Sequence, residues 1–126
     1  MGELKPQFMV AVVDDDTRLL ESLEELLESA GHAVRTFSSG RSLLDSTALT
    51  EIDCLITDIS MPGMDGFELE RMMHLKRPSL PVILITARHE LAELAQGRQG
   101  RLFRKPFDSQ ALLSAIGDAL NGKENS

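Results

Sequence analysis

Five short apolar runs, each followed by a polar or amphipathic stretch, constrain this chain more than any other feature. "FMVAVV" (Phe8 to Val13), "HAVRTF" (His32 to Phe37), "DCLITD" (Asp53 to Asp58), "PVILITA" (Pro81 to Ala87) and "RLFRK" (Arg101 to Lys105) read as strands. The first, third and fourth are nearly continuous in apolar residues, as strands covered on both faces must be. Between the first two, Leu19, Leu20, Leu23, Leu26, Leu27 and Ala30 recur at helical spacing, with Arg18, Glu21, Glu24, Glu25 and Glu28 on the other side. Asp16 or Thr17 is positioned to cap that helix and Gly31 to stop it. Ser38 to Leu49 is a weaker helical stretch. Phe67 to Arg77 is a helix closed off by Pro78, "RHELAELAQ" a short one ending near Gly97 and Gly100, and Asp108 to Gly122 the last. Alternation of this kind, with crossovers long enough for helices, predicts right-handed parallel units and a three-layer α/β sandwich.

The chain of 126 residues suits one domain, here residues 1–121, with 122–126 as a polar tail or the start of a linker. Thirteen Lys and Arg against twenty Asp and Glu give a net charge of −7, which argues against nucleic-acid binding by this chain. The single cysteine, Cys54, permits neither an intrachain disulfide nor a cysteine-based metal site. No run approaches the roughly 18 apolar residues of a membrane span, and "MGELKPQFMV" lacks the apolar core of a signal peptide. The expectation is a cytoplasmic protein with no membrane contact.

In an open parallel sheet, ligands bind beyond the carboxyl ends of the strands. The first strand ends in Asp14, Asp15 and Asp16, the third in Asp58, the fourth in Thr86 and Ala87, and the fifth in Lys105 before Pro106. Each has an ordinary reading when taken alone. Acids after a strand suit a helix N-terminus, Asp58 suits a turn, Thr86 suits a strand, and Lys105 suits a solvated surface. Taken together they bring acids, a hydroxyl and an ammonium to one rim. Clustered carboxylates repel one another unless a cation intervenes. Hard oxygen donors suit Mg²⁺, with Mn²⁺ as the substitute. A carboxylate can also form an aspartyl phosphate, whose charge an ammonium and a hydroxyl would offset.

The motifs "VVDDD", "LITDISMPGMDG", "LITA" and "RKPF", in that order, resemble the receiver domain of two-component response regulators from about Phe8 to Leu120. The overall proportions are most similar to receivers of transcriptional regulators with a helix-turn-helix output domain. The resemblance implies a flavodoxin-like (βα)5 fold with strand order 2-1-3-4-5. It implies Asp58 as phosphoacceptor, Thr86 as switch hydroxyl and Lys105 as phosphate-contacting cation. It also implies metal binding by Asp14, Asp15, Asp58 and the Ser60 backbone carbonyl, a cis Lys105–Pro106 peptide, and an acyl phosphate flanked by Ser60 and Arg88. The implied partners are a histidine kinase, an output domain, and a second copy in a phosphorylation-dependent homodimer. The implied activity is self-phosphorylation from a phosphodonor and autodephosphorylation, with no outside substrate.

Two departures from the family pattern stand out. Leu102 occupies the place of the usual aromatic switch residue, while Phe103 should face the other side of its strand. Lys105 lies 19 positions after Thr86, a few fewer than in the family pattern. Both leave open a phosphorylation-independent interaction domain with the receiver fold. A Mg²⁺-dependent phosphatase with an aspartyl nucleophile fits less well, because Ser60 stands where its acid would. Met61, Met64, Met72 and Met73 read as core or groove filling. His32, His74 and His89 are too scattered for a metal site, and Pro62, Gly63 and Gly66 read as turn formers, the glycines by permitting positive φ.

Overall fold

The computed structural model describes residues 8–88 and 101–124. Five parallel strands form one sheet: β1 (Met9–Val13), β2 (Ala33–Phe37), β3 (Cys54–Asp58), β4 (Val82–Thr86) and β5 (Leu102–Arg104). Their order is β2-β1-β3-β4-β5, the order implied by the resemblance. Helices α1 (Thr17–Ser29), α2 (Gly40–Leu44), α3 (Gly66–Lys76) and α4 (Ser109–Glu124) cover it. The helix expected over 88–96, with His89 and the stops at Gly97 and Gly100, lies outside the described residues.

Strand alternation sorts the core into two layers. Val10, Val12, Cys54, Ile56, Ile83 and Ile85 point to one face and pack with Leu20, Leu23 and Leu27 of α1 and Leu112 and Ile116 of α4. Ala11, Val13, Leu55, Val82 and Leu84 point to the other and pack with Leu43 of α2 and Leu69 and Met73 of α3. Residues at odd and even positions of the same strand thus serve different cores, which is why the central strands carry no polar face. Leu102 joins the second layer and Phe103 the first, so the two do face opposite sides of β5.

The caps follow local chemistry. Asp16 accepts N–H bonds from Arg18 and Leu19 at the start of α1, and Gly31, at φ 96°, takes the left-handed turn after its end. Asp65 caps α3 through the Glu68 N–H at 2.8 Å, and Asp108 caps α4 through the Ala111 N–H at 3.1 Å. The stretch Ser38 to Leu49 is not one helix. It holds α2 and then a 3₁₀ turn, Thr47–Thr50, because Ser46 leaves the helical path to accept the Ala48 N–H. Helix α4 runs to Glu124, into the stretch expected to be a tail. Met61 and Met73 are core residues, Met64 packs partly buried against the α2–α3 layer, and Met72 is half-buried.

Candidate functional site

Parallel pairing aligns the strand ends. Val13 pairs with Thr57 and Asp58 with Ile85, so the residues after β1 and at the end of β3 emerge at the same rim. Asp14 is fully buried and Asp58 is 5% exposed, whereas Asp15 is exposed. One carboxylate oxygen from each of Asp14, Asp15 and Asp58 lies within 4.8 Å of the others, and this is the only such acidic group among the described residues. His32 and His74 take no part in it; a ring nitrogen of His74 is bonded to the Leu80 carbonyl at 2.9 Å.

Lys105 enters from the far strand. Its backbone N–H donates to the Thr86 carbonyl at 2.8 Å, the Lys105–Pro106 peptide is cis, and its Nζ reaches Asp14 Oδ2 at 3.0 Å and Asp58 Oδ1 at 3.6 Å. The ammonium therefore sits between two buried carboxylates. Asp14 is held further by the Asp16 N–H, which donates to its Oδ1 at 2.9 Å. Burial raises the Asp14 carboxyl above the usual range, against the lowering by the Asp16 N–H and Lys105. The Asp58 carboxyl is pushed up to about 6, first by burial and then by the Asp14 charge, while Lys105 and the Ser60 N–H pull against this. For Lys105, burial pulls the ammonium down, but the hydrogen bond and charge of Asp14, with Asp58, outweigh it and leave the group raised.

Thr86 is also fully buried, at the end of β4. Its Oγ1 accepts the Arg88 N–H at 3.0 Å. By alternation it belongs to the α2–α3 side of the sheet, with Leu84 and Leu102, whereas Asp58 follows Cys54 and Ile56 to the other side. The structure thus gathers Asp14, Asp15, Asp58 and Lys105 tightly. Thr86 reaches the same rim through backbone pairing, with its hydroxyl turned to its own loop. Ala87, next to it, is exposed.

The loop after Asp58 is shaped by two glycines for different reasons. Gly63 has φ 76°, a conformation that strains other residues. Gly66 needs no such freedom: it opens α3, and a Cβ there would overlap the Asp58 carbonyl oxygen and stand 2.7 Å from Ile59 Cα. The positive-φ reading therefore holds for Gly63 and is corrected for Gly66, where close backbone approach is the constraint. Thr57 was missed in the sequence because a threonine in a strand is unremarkable. Here it is fully buried and its hydroxyl donates to the Asp58 carbonyl at 3.0 Å.

A profile of the response regulator receiver domain matches residues 10–117. The chain belongs to that family. As a receiver domain of two-component response regulators it is 37% identical over 113 residues to the DNA-binding transcriptional regulator NtrC of Klebsiella pneumoniae, covering 87% of this chain and 24% of that protein. It is 30% identical over 118 residues to the transcriptional regulatory protein FixJ of Bradyrhizobium diazoefficiens, covering 91% of this chain and 58% of that one. The receiver thus spans between a quarter and somewhat over half of the length of these relatives. Among solved structures, a response regulator receiver domain protein from Clostridium thermocellum superposes with a TM-score of 0.80 at 30% identity, over 93% of this chain and 97% of that one. The response regulator StyR superposes with a TM-score of 0.81 at 34% identity, over 95% of this chain and 63% of that one. No helix among the described residues is long and apolar enough to cross a membrane.

Proposed function

We propose that this receiver takes a phosphoryl group onto an Asp58 carboxylate oxygen from a histidine kinase, and that the resulting change in charge switches a partner or an attached output domain. The observation that carries this reading is the placement of Asp58: buried, crowded by two more acids, and 3.6 Å from a lysine ammonium. A structural aspartate in a strand end has no need of such company.

The donor set fits a hard divalent cation, because three carboxylates that bring oxygens within 4.8 Å of one another relieve their repulsion by binding one. Asp14, Asp15, Asp58 and the Ser60 carbonyl would hold Mg²⁺, with Mn²⁺ as substitute, and the bound ion would offset phosphoryl charge. In the transfer, an Asp58 oxygen forms the new O–P bond while the donor's bond to phosphorus breaks and the leaving group takes up a proton. Lys105 is placed to meet the phosphoryl oxygens as the carboxylate loses its negative charge. Thr86, an acceptor in its bond with Arg88, keeps its own proton to donate once its side chain turns toward the phosphoryl group. Ser60 and the exposed Arg88 flank the approach and tune the lifetime of the acyl phosphate. Hydrolysis of that phosphate is the domain's own reset, with no outside substrate.

The names of the relatives support attachment to a transcriptional regulator, and the net charge of −7 supports a domain that leaves nucleic-acid contact to other parts of the protein. A phosphorylation-independent role gains nothing from an acidic site this complete. Incubation with Mg²⁺ and acetyl phosphate, read by intact mass, tests the proposal. Wild type should gain one acid-labile phosphoryl group and Asp58→Asn none. Equal labelling of both would remove Asp58 from its role.

A further inference from the structure

The backbone of Asp58 is gripped by groups that never touch its carboxylate. Thr57 Oγ1 donates to the Asp58 carbonyl at 3.0 Å. Gly66 lies so close behind the same peptide that an added Cβ would overlap that carbonyl oxygen and stand 3.0 Å from the Asp58 carbonyl carbon. Its N–H donates to the Ile59 carbonyl at 2.8 Å, and the Ile59 N–H donates to Ile85 at 2.9 Å. The peptide after Asp58 is therefore fixed from strand β4, from its own preceding residue and from the first residue of α3.

Thr57 is the telling member. The other positions within β1, β3 and β4 that precede the rim are apolar: Val10 to Val13, Cys54 to Ile56, and Val82 to Ile85. A valine has nearly the shape of threonine and would bury no hydroxyl. A buried hydroxyl is costly unless it is bonded, and this one is bonded to the carbonyl of the residue that carries the chemistry. Reacting groups displaced by about 1 Å can lose a hundredfold in rate, so the orientation of this one peptide matters to the carboxylate it carries.

We propose that Thr57 and Gly66 are positioning residues for phosphoryl transfer, a backbone clamp that fixes the direction of the Asp58 side chain toward Lys105 and the acidic pair. This rests on Asp58 being the acceptor. Labelling rates with acetyl phosphate and Mg²⁺ test it in the whole chain, alongside Mg²⁺ affinity and thermal midpoint, for Thr57→Val, Thr57→Ser, Gly66→Ala and Asp58→Asn. Thr57→Val should label about fivefold more slowly, the loss of one hydrogen bond, with its thermal midpoint kept or raised. Thr57→Ser, which keeps the hydroxyl, should recover most of the rate. Gly66→Ala should fall on the order of tenfold to a hundredfold and bind Mg²⁺ more weakly. Should that variant fail to fold, the Thr57 pair decides alone. Thr57→Val labelling at the wild-type rate, or Val and Ser variants slowed equally, would overturn the clamp while an unlabelled Asp58→Asn left the acceptor in place. Labelling of Asp58→Asn would instead remove the acceptor reading itself.

Discussion

The two ends of the sheet both carry aspartates, and they treat them in opposite ways. At the amino end, Asp53 precedes β3 and accepts the Met9 N–H at 2.9 Å, tying the start of β1 to its neighbour. Its charge meets a donor and holds two strands together. At the carboxyl end, Asp14 and Asp58 are pressed together out of water with Asp15 beside them, and burial and mutual repulsion raise both buried carboxyls. One acid stabilises the sheet. The others are held at a cost that the rest of the fold bears, as expected of a site kept ready for a cation and a phosphoryl group.

That contrast breaks most sharply in labelling. Asp53→Ala should accept a phosphoryl group from acetyl phosphate within about twofold of wild type, since hydrogen-bond loss there acts on stability rather than on transfer, while Asp58→Asn accepts none. Intact mass over time separates the two.

Stability should move in opposite directions. Asp53→Ala should cost about 1–3 kcal/mol, the loss of a hydrogen bond to a charged group. In metal-free buffer at pH 7, Asp58→Asn should gain on the order of 1–3 kcal/mol, from a carboxyl raised from 3.8 to about 6. The sign follows from linkage. A carboxyl raised in the folded state favours folding fully below its unfolded value, and that advantage is lost as pH rises through the folded value. The gain from Asp58→Asn should therefore fade between about pH 6 and pH 4. Urea unfolding across that range, with EDTA present, measures it, and a pH-independent difference would contradict the raised carboxyl.

Mg²⁺ sharpens the same comparison. It should stabilise wild type by about 2.7 kcal/mol at a concentration a hundredfold above its dissociation constant, and lose most of this effect in Asp15→Asn. Asp53→Ala should respond to Mg²⁺ as wild type does. Thermal melts over a Mg²⁺ series suffice.

The smallest effect belongs to Lys105→Met. Removing the ammonium that lies 3.6 Å from Asp58 should move that carboxyl further above about 6 in metal-free protein. Carbon-detected NMR titration of the aspartate carboxyls reads the shift directly, and a carboxyl unchanged or lowered would deny Lys105 its electrostatic part.

Most of the architecture was legible because the apolar runs are unambiguous. "PVILITA" has no polar break before Thr86, and "DCLITD" places its second acid where the strand surfaces. Once five strands were parallel, Asp14, Asp58 and Lys105 had to share a rim. What stayed hidden depends on distances that spacing does not encode. Nothing in "PGMDG" distinguishes a glycine needed for positive φ, Gly63, from one needed because another backbone passes against it, Gly66. Thr57 looks like any β-branched strand residue until its hydroxyl is seen on the Asp58 carbonyl. The break between α2 and the 3₁₀ turn was missed because Leu43, Leu44 and Ala48 keep helical spacing while Asp45 and Ser46 interrupt it. The meeting of Asp14, Asp58 and Lys105 was legible; the bond between the Thr86 hydroxyl and the Arg88 N–H was not, because strand spacing does not encode a contact within the following loop.

The ion pair between Lys105 and Asp14 joins residues 91 positions apart. The acids are all in place by residue 58, but their counter-charge arrives only with the final strand. A chain cut short before β5 would carry every carboxylate and still lack the cation that steadies them. Competence to be modified is thus a certificate that the fifth strand has taken its place at the edge of the sheet.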